Sequence, residues 1–444
     1  MAQPTQSFQF NNVVKFGLVE DYSNTLATSA FAQPFNEFDS NPRDGTSMRI
    51  TYPVQLKGAA GLTYTDADSI VQRYRYITLN SGFRVPISFD ATENTFLDSA
   101  DSQSAFSGMY ISPMVRALGQ LVNAATMDEL MMNATDTIGS PTSQLNGITS
   151  ISLINNMIAN MGLTQWKRKY LQLSPNATTG LQVPYTGYFN EGFNASILAN
   201  DTTTFDKSYS GLMPYIDQSY ITITNGVLDS VANTVVVSVA PSLTQSINDS
   251  YSTVTVTGLP TSTTGLLLRG NRIWWTKDTS ATVIQQLNPK NYQTFGNPKY
   301  FVIVSTSVDS SGGGSATFNM FPPVVSNVLD PYQNVSSPLE VGDRLHVFGP
   351  VAGQYVLNFV FTEQSLKFAN PNISTIPGGN GMSSMGGFPF QQMMREKITN
   401  SQLTVGFNLA AQGDIKLFTN SLVARTISGA AAFNGTCFAV ASSM

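Results

Sequence analysis

Apolar and polar residues follow two different rhythms along this chain, and the changes of rhythm divide it. Residues 1–45 follow neither: Phe residues are scattered among polar spacers, which predicts an extended arm. Strict alternation starts in Arg49-Ile-Thr-Tyr-Pro-Val-Gln-Leu and returns in Val71-Gln-Arg-Tyr-Arg-Tyr-Ile-Thr-Leu79, a period of two that predicts strands. The loop Gly58-Ala-Ala-Gly61 and a polar stretch with Asp66 and Asp68 separate them, so the pair reads as a long projecting hairpin. A two-stranded ribbon is marginally stable alone in water. A long one needs a surface to lie on, and in an oligomer that surface is the next subunit.

A helical period takes over at 101–134. Met109, Val115, Leu118, Leu121, Val122, Ala125, Leu130 and Met131 recur largely at intervals of three, four or their sums, and Asp101 can cap the start. Pro113 should kink or divide this rod, which at full length would reach ~50 Å. A second amphipathic helix is predicted over 150–162, with Gly162 as its C′ residue. The basic turn Lys167-Arg-Lys169 then leads into a short apolar strand, Tyr170-Leu-Gln-Leu-Ser-Pro175. From 220 to 325 short strands follow at regular spacing: Tyr220–Thr224, Thr234–Ala240, Ser252–Gly258, Leu266–Leu268, Arg272–Thr276, Thr282–Gln285, Tyr300–Thr306 and Ala316–Met320. With turn signals between them and no helical period, they predict a β-barrel or sandwich module set into the chain. The mixed pattern then resumes, with a helix near Thr362–Ala369 and strands near Gln402–Phe407 and Ile415–Phe418. The class is α+β with an inserted β-domain.

Composition narrows the function. Charged residues make up 11% of the 444, less than half of the roughly 25% usual in globular chains, and the polar remainder is Ser, Thr, Asn and Gln. Uncharged polar surface suits a subunit covered by neighbours, because a buried hydroxyl or amide is easier to satisfy than a buried charge. It also suits secreted and appendage β proteins. The net charge of -5 and the absence of a Lys/Arg block argue against a protein whose task is gripping nucleic acid. A single Cys, Cys437, builds no intrachain disulfide framework. The N-terminal residues lack a signal-peptide layout, and no apolar run approaches the ~18 residues of a membrane span, so the expected setting is a cytoplasm without membrane attachment.

Candidate chemistry is thin. His346, the only histidine, lies in the apolar run Arg344-Leu-His-Val-Phe; a catalytic role would need a second positioned group, and packing is the favoured reading. One His and one Cys cannot build a four-ligand zinc site. Asp128 and Glu129 are adjacent on a helix, point to different sides and read as exposed or inter-subunit charges. Gly378-Gly-Asn-Gly-Met-Ser-Ser-Met-Gly-Gly387 lacks the Gly-Lys-Ser/Thr ending of a phosphate loop, and the Asp/Asn/Gly groups at 308–314 do not have EF-hand spacing. Of Trp274-Trp275, on successive strand positions, one ring should be core and the other at an edge. No catalytic, metal or cofactor-binding residue is expected, and no enzyme activity.

The order arm, hairpin, long helix, α+β core, inserted β-module and returning core resembles the P22-type phage coat proteins, major capsid proteins of the HK97-like fold. Local stretches carry the resemblance: Asp101–Ser140, Tyr170-Leu-Gln-Leu-Ser-Pro175, Phe321-Pro-Pro-Val, Tyr332-Gln-Asn-Val-Ser336, Leu357–Ala369 with Pro377-Gly, and Gly413-Asp-Ile-Lys through Val423-Ala-Arg. The resemblance implies an N-terminal arm at 1–45, an E-loop hairpin with flanking strands at 46–90, and a spine helix with P-domain at 91–140. It implies the first part of an A-domain at 141–219, an inserted β-barrel domain at 220–325, and at 326–444 the rest of the A-domain with returning P-domain strands. It further implies hexamers and pentamers of the chain closing an icosahedral shell around double-stranded DNA, with no sequence-specific DNA binding. A scaffolding protein and a portal would assist assembly, and a decoration protein is allowed. The setting would be the virion, assembled in a bacterial host cytoplasm. Self-catalysed Lys–Asn crosslinking, known in some relatives of the fold, is not expected. The hairpin charges Arg49, Lys57, Asp66, Asp68, Arg73 and Arg75 are expected to pair across subunits. The alternatives are a β-rich tail, fibre or surface-layer protein, which the Ser/Thr/Asn-rich β-module favours, and an enzyme carrying a carbohydrate-binding module, which the missing histidines disfavour.

Overall fold

The structure, a computed structural model, describes residues 25–35, 47–51, 73–79, 82–90, 112–165, 168–188, 211–231, 234–241, 251–278, 282–289, 291–328, 330–370, 408–414, 419–426 and 428–444. The hairpin tip at 52–72, the helix start at 101–111, Trp166, Lys167, the Gly-rich stretch at 378–387 and the predicted strands at 402–407 and 415–418 lie outside them. The chain clusters into two compact units, one of residues 1–48, 77–127 and 367–431, the other of 49–76, 128–366 and 432–444.

Helix α1, Ser112–Asn133, begins in the first unit. Pro113 lies at the start of the described helix, and the part of the predicted rod that it would kink or divide off, 101–111, lies outside the described residues. Val115, Leu118, Val122 and Leu130 are fully buried as the period predicts, whereas Leu121 is 43% exposed. The buried stripe takes in Asn123 and Thr126 instead. Asn123 Oδ1 accepts the backbone N–H groups of Thr28 and Ser29 at 3.0 and 3.2 Å, and Ser29 Oγ donates to Thr126 Oγ1 at 2.9 Å. These bonds remove the cost of burying polar groups. Residues 25–35, predicted as part of an extended arm, therefore pack as a turn with Leu26 buried, and Gln33–Pro34 pairs in parallel with Leu366–Ala369. The same unit holds a three-stranded antiparallel sheet of Asn408–Asp414, Thr419–Thr426 and Phe83–Asp90. Phe83–Asp90 lies at its edge, the position that tolerates Pro86.

The second unit is built on a sheet in the order Thr137–Gly139, Cys437–Ser442, Gln354–Thr362, Lys169–Leu173, Met213–Ile216. Gln354–Thr362 is buried at every position but its first, the signature of a central strand covered on both faces. The helix predicted near Thr362–Ala369 is not formed: Thr362 ends this strand and Leu366–Ala369 is another. Between them Ser365 Oγ accepts the Thr362 N–H at 2.8 Å and closes a turn. Helix α2, Gly147–Asn160, ends at Gly162 (φ 68°), the C′ glycine predicted. Helix α3, Pro175–Tyr188, was not anticipated, although Ser174-Pro175 carries its start signal: Ser174 Oγ accepts the Ala177 N–H at 3.2 Å and Pro occupies the first turn. Both helices bury apolar residues, among them Ile154, Met157 and Leu181, against Leu171, Val360 and Phe438 of the sheet.

The β-module is a closed barrel of six antiparallel strands: β1 Val236–Val239, β2 Ser252–Thr257, β3 Arg272–Thr276, β4 Phe301–Ile303, β5 Ser315–Phe321 and β6 Arg344–Val347, ordered β2-β5-β4-β3-β6-β1. Alternation fills its interior with Val237, Val254, Val256, Ile273, Trp275, Phe301, Phe318 and Leu345. The closing strand β6 comes from beyond the 220–325 span. Ile221–Thr224 stays in the core sheet, paired with Gln354–Thr362 in the register Gln354↔Thr224. The chain thus leaves the core at Thr224 and returns beside it at Gln354. Asn225 seals the stem, its N–H donating to Gly353 O at 2.9 Å and its Nδ2 to Phe348 O and Pro350 O, each at 2.9 Å. The class expected from the sequence, α+β with an inserted barrel, is the class observed.

Trp275 is wholly buried and its indole Nε1 has no partner among the described residues. Trp275→Ala should therefore destabilise the barrel by about 3–5 kcal/mol through cavity formation. Trp275→Phe should cost distinctly less, since it also removes an orphaned donor; denaturant unfolding followed by fluorescence checks the order.

Candidate functional site

Among the described residues no catalytic constellation stands out, and a dense polar cluster lies where α1 ends against the barrel. A helix leaves its last four carbonyls without intrahelical partners. In α1 the sequence supplies no basic residue in the last turn, and the chain continues Ala134-Thr-Asp136 without a C′ glycine. The caps come from far along the chain. Arg272 on β3, fully buried, donates from Nη2 to Ala134 O at 3.0 Å and to Met131 O at 3.4 Å, from Nη1 to Gly270 O at 3.2 Å and from Nε to Thr137 Oγ1 at 2.6 Å. Its cation thus sits at the negative end of the helix dipole. Burial pulls the Arg272 pKa below its ordinary value, with Tyr355 and Asp136 acting against that. Burial pushes both Tyr355 and Tyr300 up to about 12, so both phenols are neutral beside it.

Next to this cap, Asp136 is 2% exposed and accepts Lys299 Nζ on Oδ1 at 2.7 Å and Gln286 Nε2 on Oδ2 at 2.7 Å; Lys299 is 3% exposed. Desolvating two charges costs several kcal/mol per ion, which the short contact and the added amide bond offset. Gly270 (φ 89°) completes the join: a Cβ there would lie 3.1 Å from Met131 Sδ and from Ile223 Cδ1. The absent side chain lets barrel backbone reach the helix.

The carboxylates read as exposed or inter-subunit charges are taken within the chain. Arg269 binds Asp128 bidentately, at 2.8 and 2.7 Å. Arg75, from the hairpin strand Tyr74–Thr78, pairs with Glu129 and Asn133 and donates to Ala432 O at 3.1 Å. Asn434 Nδ2 donates to Asn133 O at 2.7 Å and Thr135 Oγ1 at 2.8 Å. Of the other hairpin charges, Arg49 is exposed with its guanidinium 4.5 Å from the Tyr74 ring centroid, and Arg73 lies 4.3 Å from that of Tyr332. Lys57, Asp66 and Asp68 fall outside the described residues.

His346 stacks on Trp274 at 4.2 Å and shares a 3.0 Å hydrogen bond with Thr276, while Trp275 points into the core. The two tryptophans divide as the alternation predicts. Cys437 is buried, which pushes its thiol up to about 12 and leaves it unreactive. Asp309 accepts from Gly265 N–H at 2.7 Å and Ser307 Oγ at 2.6 Å, a loop-fixing role. Among the described residues no three His, Cys, Asp or Glu side chains gather as a metal site, and no helix is long and apolar enough to cross a membrane.

Sequence reasoning missed Arg272, Asp136, Lys299 and Gln286. For Arg272 and Lys299 the signal was a charge set in an apolar strand run, Arg272-Ile-Trp-Trp and Lys299-Tyr-Phe-Val-Ile-Val, where an unpaired ion would be prohibitive and a distant partner is required.

No family model matches the chain, and no curated protein matches it in sequence. In structure it is similar to a chain from Mycobacterium phage Che8, with 8% identity, 93% of this chain and 89% of that one covered, and a TM-score of 0.42. It is similar to the capsid of Ralstonia phage GP4 at 6% identity, covering 93% and 87%, TM-score 0.45. For the capsid structure of Cyanophage P-SCSP1u the values are 9%, 94% and 88%, and 0.41. Likenesses of this size establish no family.

Lys299→Met should destabilise the chain by about 3–5 kcal/mol, because it leaves Asp136 charged and buried. The double variant Asp136→Leu/Lys299→Met should recover much of that loss in denaturant unfolding. Burial, with Arg344 adding to it, lowers the His346 pKa, so folding favours the neutral ring. Its stabilisation is complete above the ordinary value of about 6.5 and is lost as pH falls through that value to the lowered folded one. The unfolding midpoint should drop across that window, and His346→Phe should flatten the dependence.

Proposed function

We propose that this chain is the major capsid protein of a tailed double-stranded DNA phage, of the HK97-like fold in its P22-type layout. The observation that carries the reading is a closed barrel inserted through a paired stem into an α+β core and pinned by buried charge to the end of a 22-residue helix. A barrel held this way braces neighbouring structure. The element order, hairpin base then long helix then core then barrel then core, matches that expected of such a subunit, and the low charge suits surfaces covered by neighbours.

In this reading the subunits form hexamers and pentamers, and many modest contacts close the shell by multivalency. The role is structural and non-enzymatic, and the site of action is the virion after assembly in the host cytoplasm. A scaffolding protein, a portal and packaged DNA are the partners, and the outer surface admits a decoration protein. Arg49, Lys57, Asp66, Asp68 and Arg73 supply cross-subunit charge pairs from the hairpin. Arg75 is already committed inside the chain to Glu129, so its contribution is to hold the hairpin base.

Electron microscopy of the purified full chain tests this: closed shells of uniform diameter are expected, while fibres or flat sheets would favour a tail, fibre or surface-layer protein. Asp66→Lys/Asp68→Lys should lower the assembled fraction about tenfold without moving the unfolding midpoint of the dispersed subunit. Normal shells from that variant would remove the hairpin charges from the assembly mechanism.

A further inference from the structure

Residues 128–136 hold three separate parts of the chain at once. On one helix face, Glu129 and Asn133, one turn apart, take Arg75 of the hairpin strand Tyr74–Thr78. Asn133 is itself fixed, donating to Glu129 O at 2.8 Å and Glu129 Oε1 at 3.1 Å. On the other side Asp128 of the helix takes Arg269, the carbonyls of Met131 and of Ala134, just past the helix end, take Arg272, and Asp136 beyond it takes Lys299 and Gln286, all from the barrel module. Asn434, just before the strand Cys437–Ser442, holds the Asn133 carbonyl.

We propose that residues 128–136 are a conformational coupler, through which displacement of the hairpin base changes the stability of the inserted barrel, and the reverse. The physical reason is geometric. One helical turn moves nearly as a rigid body, and hydrogen bonds weaken steeply once distance or angle departs from a narrow range. Rotating the last turn of α1 to follow Arg75 therefore pulls Met131 and Ala134 away from Arg272. The close approach at Gly270 leaves little slack on the barrel side. Because several of the groups on that side are buried, a bond broken there is not replaced by water, so the strain is transmitted rather than absorbed. Linkage requires the effect to run equally in both directions.

The proposal rests on the shell-subunit reading only for what displaces the hairpin, namely contact with a neighbouring subunit. Its test uses the dispersed full chain, so either idea can fail without the other. Hydrogen–deuterium exchange would compare wild type with Arg75→Met and with Arg269→Gln. Arg75→Met should speed exchange about threefold or more in β3, beyond its contacts with Glu129, Asn133 and Ala432, and Arg269→Gln should do the same in Tyr74–Thr78. The double variant should shift exchange by less than the product of the single effects. Changes confined to each variant's own contacts, with multiplicative effects in the double variant, would overturn the coupler. Should Arg75→Met fail to fold, Glu129→Gln, which keeps a hydrogen-bond acceptor and removes the charge, is read by the same criteria.

Discussion

The C-terminal end of α1 exposes carbonyls that its own sequence cannot satisfy, and much of the second unit is organised around supplying their partners. Arg272 arrives from a strand 141 residues beyond Met131, and Asn434 from near the chain's end, 301 residues beyond Asn133. The Arg272 bond is buried and the Asn434 bond half-buried, so losing the first would strand a group away from water. The helix end is thus tied both to the barrel and to the residue that leads into the strand Cys437–Ser442.

The paired stem explains why so large an insertion does not loosen the core. Thr224 and Gln354 are register partners, so the core sheet sees only a short loop where the barrel departs. Loop-closure entropy is paid inside a module with its own apolar interior, and Asn225 ties off the stem. Backbone pairing at the stem and ion pairing at the helix end restrain the module at two places, and two restraints remove the swing that one would leave.

Low charge acquires a particular meaning in this arrangement. Arg75, Arg269, Arg272, Lys277 and Lys299 all have partners inside the chain. Lys277 alone gathers Pro338 O at 2.6 Å, Glu340 at 2.9 Å and Asp343 at 3.0 Å. These charges serve the subunit's internal geometry. The barrel's outward positions on β2 and β5 carry hydroxyls and amides instead, as in the Thr255–Thr317 and Thr253–Asn319 bonds across the two strands.

Periodicity by itself determined the class, the helix α1 through Val115, Leu118, Val122 and Leu130, the end of α2 at Gly162, most of the barrel strands, and the split between Trp274 and Trp275. These features are local, because alternation and helical spacing record which face meets a core. Tertiary structure decided what locality cannot encode. It made Asn123 and Thr126 core residues by giving them Thr28 and Ser29. It put a turn and the strand Leu366–Ala369 where a helix was expected, after the buried strand Gln354–Thr362, and it brought β6 from beyond the expected module to close the barrel. It also set Asp128, Glu129 and Asp136 against Arg269, Arg75 and Lys299. A charge in a sequence announces that it needs a partner, but only the fold's long-range pairing decides which one it receives.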